Sequence, residues 1–120
     1  MSLRLSDLPG FCTEVEENAR RMACPCAVLA HAGSGVAYVH VPVPSVTSAE
    51  AERLLRCLQA IDTCVERLHG RRVLERAPVA VKQQCQVWGA TGDDFPLMRA
   101  IKASYDPQGR LNPGRFLGGL

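Results

Sequence analysis

The sequence contains no apolar run near the roughly 20 residues that a bilayer-spanning helix requires, so none of it reads as a membrane span. It has no G-x-G-x-x-G loop opening a helix, which removes one common phosphate cradle. Its glycine turn, His31-Ala32-Gly33-Ser34-Gly35, leads into a strand instead. Charge of one sign is also lacking: 14 Lys and Arg against 12 Asp and Glu leave +2. That is too little to suggest nucleic acid or an anionic membrane as partner. There is no internal repeat and no low-complexity linker. A signal-peptide pattern is absent too, because Asp7, Glu14, Glu16 and Glu17 interrupt the first segment. A cytoplasmic location is therefore the expectation.

What is present reads as one globular domain with a modest core: 120 residues, 47% hydrophobic and 22% charged. Six cysteines (Cys12, Cys24, Cys26, Cys57, Cys64, Cys85) would form a disulfide framework in a small secreted domain. Without a secretory signal they are expected to be free thiols, mostly small buried hydrophobes. Cys24-Pro25-Cys26 invites a metal or redox reading. Its spacing is C-x-C, however, not C-x-x-C, and no second pair completes four ligands. Cys57 and Cys64 fall on a helical stripe with Leu54, Leu58, Ile61 and Val65, where a core is expected. No metal is assigned.

Taken in order, Leu3-Arg4-Leu5 alternates like a short first strand. Ser6 or Asp7 then caps a helix that has Pro9 in its first turn and runs to about Met22, with Phe11, Val15, Ala19 and Met22 on its apolar side. Cys26-Ala27-Val28-Leu29-Ala30 suggests a buried strand. After the glycine turn, Val36 to Val43 forms the second arm of a hairpin, stopped by Pro42 and Pro44. Residues 45–48 are a loop. Thr47-Ser48-Ala49-Glu50 forms a capping box for a helix to about His69, with Gly70 as its stop. Residues 71–76 suggest a fourth strand, and 77–86 are ambiguous: Val79-Ala80-Val81 has strand character, which the glutamines weaken. Asp93 or Asp94 caps a last helix whose apolar face is Leu97, Met98, Ile101 and Tyr105. Strand, helix, strand, strand, helix, strand is the order of a ferredoxin-like split βαβ unit, an α+β sandwich with an antiparallel sheet and helices on one face. The core spans about 3–88. A C-terminal helix and an extended tail fill about 89–120.

The tail is the most distinctive stretch. Leu97-Met98-Arg99-Ala100-Ile101-Lys102 is followed by Asp106-Pro107-Gln108-Gly109-Arg110-Leu111-Asn112-Pro113-Gly114-Arg115, where proline ends the helix and two stiff turns hold the chain in one path. This resembles the C-terminal signature of FAD-linked oxidases of the vanillyl-alcohol-oxidase type. Val87-Trp88-Gly89 and Arg115-Phe116-Leu117-Gly118-Gly119 make it most similar to the FAD-binding E-type subunits of glycolate oxidases. The resemblance implies a C-terminal cap, or substrate-side, domain of a longer flavoprotein that oxidises a 2-hydroxy acid of the glycolate or D-lactate type. FAD would be bound mainly by an N-terminal domain outside these residues. That domain and other oxidase subunits, an iron–sulfur subunit among them, are the implied partners. The chain alone is expected to be inactive and able to dimerise.

Within the resemblance, related enzymes carry His-x-Gly-Asp-Gly-Asn-x-His at the hairpin. Here His31 is kept, while Ser34, Val36 and Tyr38 replace Asp, Asn and the second His. Glu75 stands where a downstream glutamate falls. His31 and Glu75 are thus the substrate-side candidates, against plainer readings as a backbone-bonded hairpin histidine and a solvated or Arg-paired carboxylate. Trp88, Asn112 and Arg115 are the cofactor- or domain-docking candidates. For Trp88 the rival reading is a packing anchor; for Arg110 and Arg115 it is plain surface charge. A free-standing ferredoxin-like module that binds a ligand or self-associates, without flavin chemistry, is the alternative for the whole chain.

Overall fold

The protein is described by a computed structural model covering residues 1–43, 45 and 47–120. Pro44, read above as a strand stop, and Val46, in the loop before the second long helix, lie outside the described residues. The chain forms two compact units, Met1–Cys85 and Gln86–Leu120.

In the first unit, helix α1 spans Leu8–Arg21 and helix α2 spans Ser48–Arg67; between them lies the hairpin of strands β1 (Ala27–His31) and β2 (Val36–His40). A four-residue helical turn, α3 (Val79–Lys82), follows. Asp7 stands at the N-cap of α1 and Pro9 lies in its first turn, where a missing N–H costs nothing. Leu8, Phe11, Val15 and Ala19 recur at helical spacing and are buried, and the first three share one core cluster with Ile61, Cys64 and Val65 of α2. The expected capping box is formed: Thr47 Oγ1 accepts from the Glu50 amide at 3.3 Å, and the Glu50 carboxylate accepts from the Thr47 amide at 3.4 Å. Replacing Thr47 by Ala removes one arm of this box. It should cost about 1 kcal/mol, seen in calorimetry as a fall in Tm of roughly 4–8 °C.

α2 ends by a different device from the one expected. His69, not Gly70, takes the left-handed conformation (φ 53°), and the amides of His69 and Gly70 close back on the carbonyls of Glu66 and Val65 at 2.9 and 2.8 Å. Gly70 is required for a steric reason. A Cβ there would stand 2.4 Å from Leu3 Cδ2 and 2.8 Å from the Ser2 carbonyl oxygen.

The sheet departs from the expected four strands. β1 and β2 pair antiparallel from Ala27–His40 to His31–Val36, and the flanking strands are reduced to bridges. Ser2 bridges Val36 on one side and Arg71 on the other, so the order across the sheet is Arg71, Ser2, β2, β1, as in a split βαβ arrangement. The first strand thus lies at Met1 to Leu3 rather than Leu3 to Leu5; Leu5–Asp7 is already a 3-10 turn, with the Asp7 amide bonded to the Arg4 carbonyl at 3.0 Å. Of the expected fourth strand, Arg71 forms the bridge found among the described residues. Arg72 falls opposite Met1, and the ladder positions from Val73 onward have no described residue opposite them on that side. β1 is an edge strand with one bare face, not a buried one: Leu29 is 57% exposed. The ambiguous stretch resolves into α3, whose Val81 is fully buried. The result is a mixed α+β unit with a small antiparallel sheet and no closed sandwich.

In the second unit, helix α4 spans Phe95–Tyr105, with Asp94 at its N-cap as expected. Its apolar face is bare except at Met98, which is half-buried. Leu97, Ile101 and Tyr105 are 64%, 51% and 83% exposed.

Candidate functional site

Three rings form a row on the outer face of the hairpin. Directly opposed residues point to the same side of an antiparallel pair, so Val36, Tyr38 and His40 share a face with His31, Leu29 and Ala27. Ala37 and Val39 face the helices instead. His31, the last residue of β1, is exposed and meets Tyr38 edge-on, with ring centroids 5.9 Å apart. Tyr38 stacks on His40 at 6.4 Å. The His31 carbonyl accepts the Ser34 amide at 3.1 Å and the Ser34 hydroxyl at 3.3 Å, closing the turn.

Glu75 lies in the irregular stretch after Arg71, exposed, with its backbone carbonyl accepting Lys82 Nζ at 3.2 Å. A cavity of about 490 Å³ opens between β2 and this stretch, and Tyr38, His40, Arg72, Glu75 and Arg76 line it together with Met1. The geometry therefore brings Glu75 together with Tyr38 and His40, while His31 is not part of the lining. Alternation along β2 puts Tyr38 and His40 on one face. Arg72 was not singled out from the sequence, where it is one of two adjacent arginines. It is 5% exposed and engages Asp62 through both Nε and Nη2.

Of the docking candidates, Trp88 and Arg115 are joined directly. The indole N–H donates to the Arg115 carbonyl at 3.1 Å, and the Trp88 ring packs against Phe116 at 4.8 Å between centroids. Asn112 takes φ 45°, and its carbonyl accepts the Arg115 amide at 3.2 Å. What holds this tail is a residue not singled out as a site. The Asp106 carboxylate accepts the amides of Arg110 (2.8 Å) and Leu111 (2.9 Å) and the Lys102 ammonium, which also donates to the Leu111 carbonyl. Lys102 and the Leu111 amide, with a smaller part from the Arg110 amide, hold the carboxyl at a pKa of about 2 against partial desolvation.

The starts of the three long helices are poorly suited to a pyrophosphate. An anion is drawn to free N–H groups at a helix start, yet α1 and α4 begin behind Asp7 and Asp94, and Glu50 occupies the start of α2. Each carboxylate repels a phosphate. Nor are Cys26, Cys57 and Cys64 suited to nucleophilic or metal chemistry near neutrality. Burial, then a hydrogen bond with Cys24, pushes Cys57 up to about 12; burial also raises Cys26 and Cys64. Under native conditions at mildly alkaline pH, Cys57 should stay unmodified by a thiol-exchange reagent while the denatured chain reacts at all six cysteines, read by mass spectrometry.

A small mixed α+β unit followed by a helix and a tail pinned by Asp-Pro and Asn-Pro-Gly turns defines the class of domain. The chain matches the family model "FAD linked oxidases, C-terminal domain" over residues 1–116, and it belongs to that family. None of the curated proteins and none of the solved structures compared matches it. Among the described residues no helix is long and apolar enough to cross a membrane.

Proposed function

We propose that the chain is the cap, or substrate-side, domain of an FAD-dependent 2-hydroxy-acid oxidoreductase similar to the E-type FAD-binding component of glycolate oxidase. The observation that carries this reading is the family match across 116 residues, which includes the tail motif from Asp106 to Arg115. The carboxylates at the helix starts support it, since they disfavour a dinucleotide at those positions, and in this reading FAD is held mainly by a separate N-terminal domain. The flavin supplies the redox chemistry in such enzymes, and the protein around it positions the substrate and excludes water. In this reading Tyr38, His40 and Glu75 contribute the polar groups of the substrate side, and His31 extends their aromatic row. Trp88, Asn112 and Arg115 shape the tail for docking on the flavin domain, and the exposed face of α4 offers apolar area for the same contact. The complete protein works in the cytoplasm with electron-accepting partner subunits.

The test compares the 120-residue chain with the reading frame extended upstream of Met1. A flavin absorbance spectrum in the long form and none in the short one is the expected result, followed by bleaching of the long form on addition of glycolate or D-lactate. A long form that is colourless and takes up no added FAD overturns the proposal, and the free-standing module then becomes the better reading.

A further inference from the structure

The cavity beside Met1 has the width, the register and the apolar floor of one missing β-strand. Ser2 is held on both sides at once: its amide donates to the Arg71 carbonyl at 2.8 Å, the Arg71 amide donates back at 3.0 Å, and the Leu3 amide donates to the Gly35 carbonyl at 2.8 Å. Met1 and Ala37 exchange bonds in the same way, the α-amino group donating at 2.7 Å and the Ala37 amide returning at 2.9 Å. The gap between β2 and the stretch after Arg71 is therefore one strand wide at Ser2, and it stays open past Met1 as the cavity of about 490 Å³. A second hollow of about 390 Å³ adjoins it on the helix side and shares Val39, Val41, Leu58 and Leu74 in its lining.

We infer that this slot receives the polypeptide segment leading into Met1, as an antiparallel strand between β2 and residues 73–76. The inference deepens the proposed function and rests on it, since it requires a domain upstream. The occupant is fixed by continuity: a strand in this slot, carrying on the ladder of Ser2 and Met1, runs into Met1 itself. The register follows from the existing pairs. The first residue upstream falls opposite Tyr38 and Val73, the second opposite Val39 and Leu74, the third opposite His40 and Glu75, and the fourth opposite Val41 and Arg76. Period-two alternation then assigns the faces. Leu3 is buried and Met1 packs on the core, so the second and fourth upstream residues point to the helices and the first and third to the outer face.

The core itself shows the same gap. It is divided into one cluster around Phe11, Ile61 and Val65 and another around Leu54, Leu58 and Val81, and the slot is lined by Ile61 of the first and Leu58 of the second. Apolar side chains at the second and fourth upstream positions would bridge the two clusters. Joining the chain at Met1 would also turn a half-buried ammonium, whose pKa burial already lowers, into an ordinary ladder amide. The outer-face positions would lie between His40 and Glu75, so the segment would become part of the substrate-side surface.

The experiment extends the full chain upstream of Met1 by Val-Thr-Val-Thr, or by the shifted order Thr-Val-Thr-Val, and reads amide hydrogen exchange and thermal unfolding. The first places valine at the fourth and second positions. It should slow exchange of the Val39 and Val73 amides by roughly tenfold or more and raise Tm by several degrees, while the shifted extension does neither. Equal behaviour of the two extensions overturns the inference. So does protection that grows with protein concentration, which would mean that a second copy fills the slot. The readouts involve no flavin, so the oxidase reading can fail in its own test while this result stands. The natural frame should likewise carry apolar residues at the second and fourth positions before Met1; polar residues at both would overturn the assignment.

Discussion

Replacing Gly35 by Ala is expected to lower stability by about 2–4 kcal/mol. Two independent costs combine. Gly35 sits at φ +66°, where a side chain is strained, and its added Cβ would lie 2.1 Å from the carbonyl oxygen of Leu3. That atom is backbone and cannot rotate away, so the N-terminal strand must lift off. With it go the Leu3–Gly35 bond, the exchange between Met1 and Ala37, and the burial of Leu3. For a unit of this size Tm should fall by on the order of 10–20 °C, and exchange of the Leu3 amide should rise in step. Gly33→Ala is the control. It has open space around its Cβ and should stay within about 0.5 kcal/mol of the parent. Gly70→Ala attacks the same strand from its other side, through Ser2 and Leu3. Because both variants act by expelling one element, their effects should be markedly less than additive. A Gly35→Ala variant with unchanged Tm and an unchanged Leu3 amide would mean that the strand is not held there.

The long helices and the hairpin were legible because their signals are local. A capping box, a proline in a first turn and apolar residues every three to four positions act within one or two turns of chain, and they place α1, α2 and α4 nearly to the residue. The sheet edges were not legible, because a strand is completed by partners distant in sequence. Residues 71–76 have a plausible strand pattern, but among the described residues the bridge is at Arg71, and Leu29 looks like a core residue until β1 proves to be an edge. The candidate site divides in the same way. Trp88 and Arg115 could be named from their motif, whereas their mutual bond follows from how the tail closes. Grouping Glu75 with His40 and Tyr38 depends on the crossing of two segments more than 30 residues apart. The role of Asp106 was hidden for another reason. Beside Pro107 it reads as a helix stop, and nothing in sequence tells a stopping aspartate from one whose carboxylate organises the next five residues.

That role makes Asp106 the second site of large expected effect. Asp106→Ala removes the acceptor for two backbone amides and for Lys102, and among the described residues the Arg110 and Leu111 amides have no other acceptor. The turn from Pro107 to Leu111 should lose its single path, with the two amides exchanging roughly tenfold faster or more and the end of α4 fraying. Asp106→Asn keeps the shape but not the charge, so it should retain one amide bond at most and lose the hold on Lys102. The charge also predicts a pH signature. The carboxyl titrates near 2 in the folded chain against an ordinary 3.8. A depressed carboxylate contributes stability that is fully present above the ordinary value and is lost as pH falls through the folded value. The Leu111 amide shift should therefore hold steady on acidification to about pH 4, move with a midpoint near 2 and be flat in Asp106→Asn. A midpoint at the ordinary value in the parent would show that the network does not form. If the network does form, the tail carrying Asn112 and Arg115 is already ordered before any partner meets it. An ordered tail avoids much of the entropy cost of docking, so in a longer flavin-bearing form Asp106→Ala should weaken flavin retention although it touches no flavin atom.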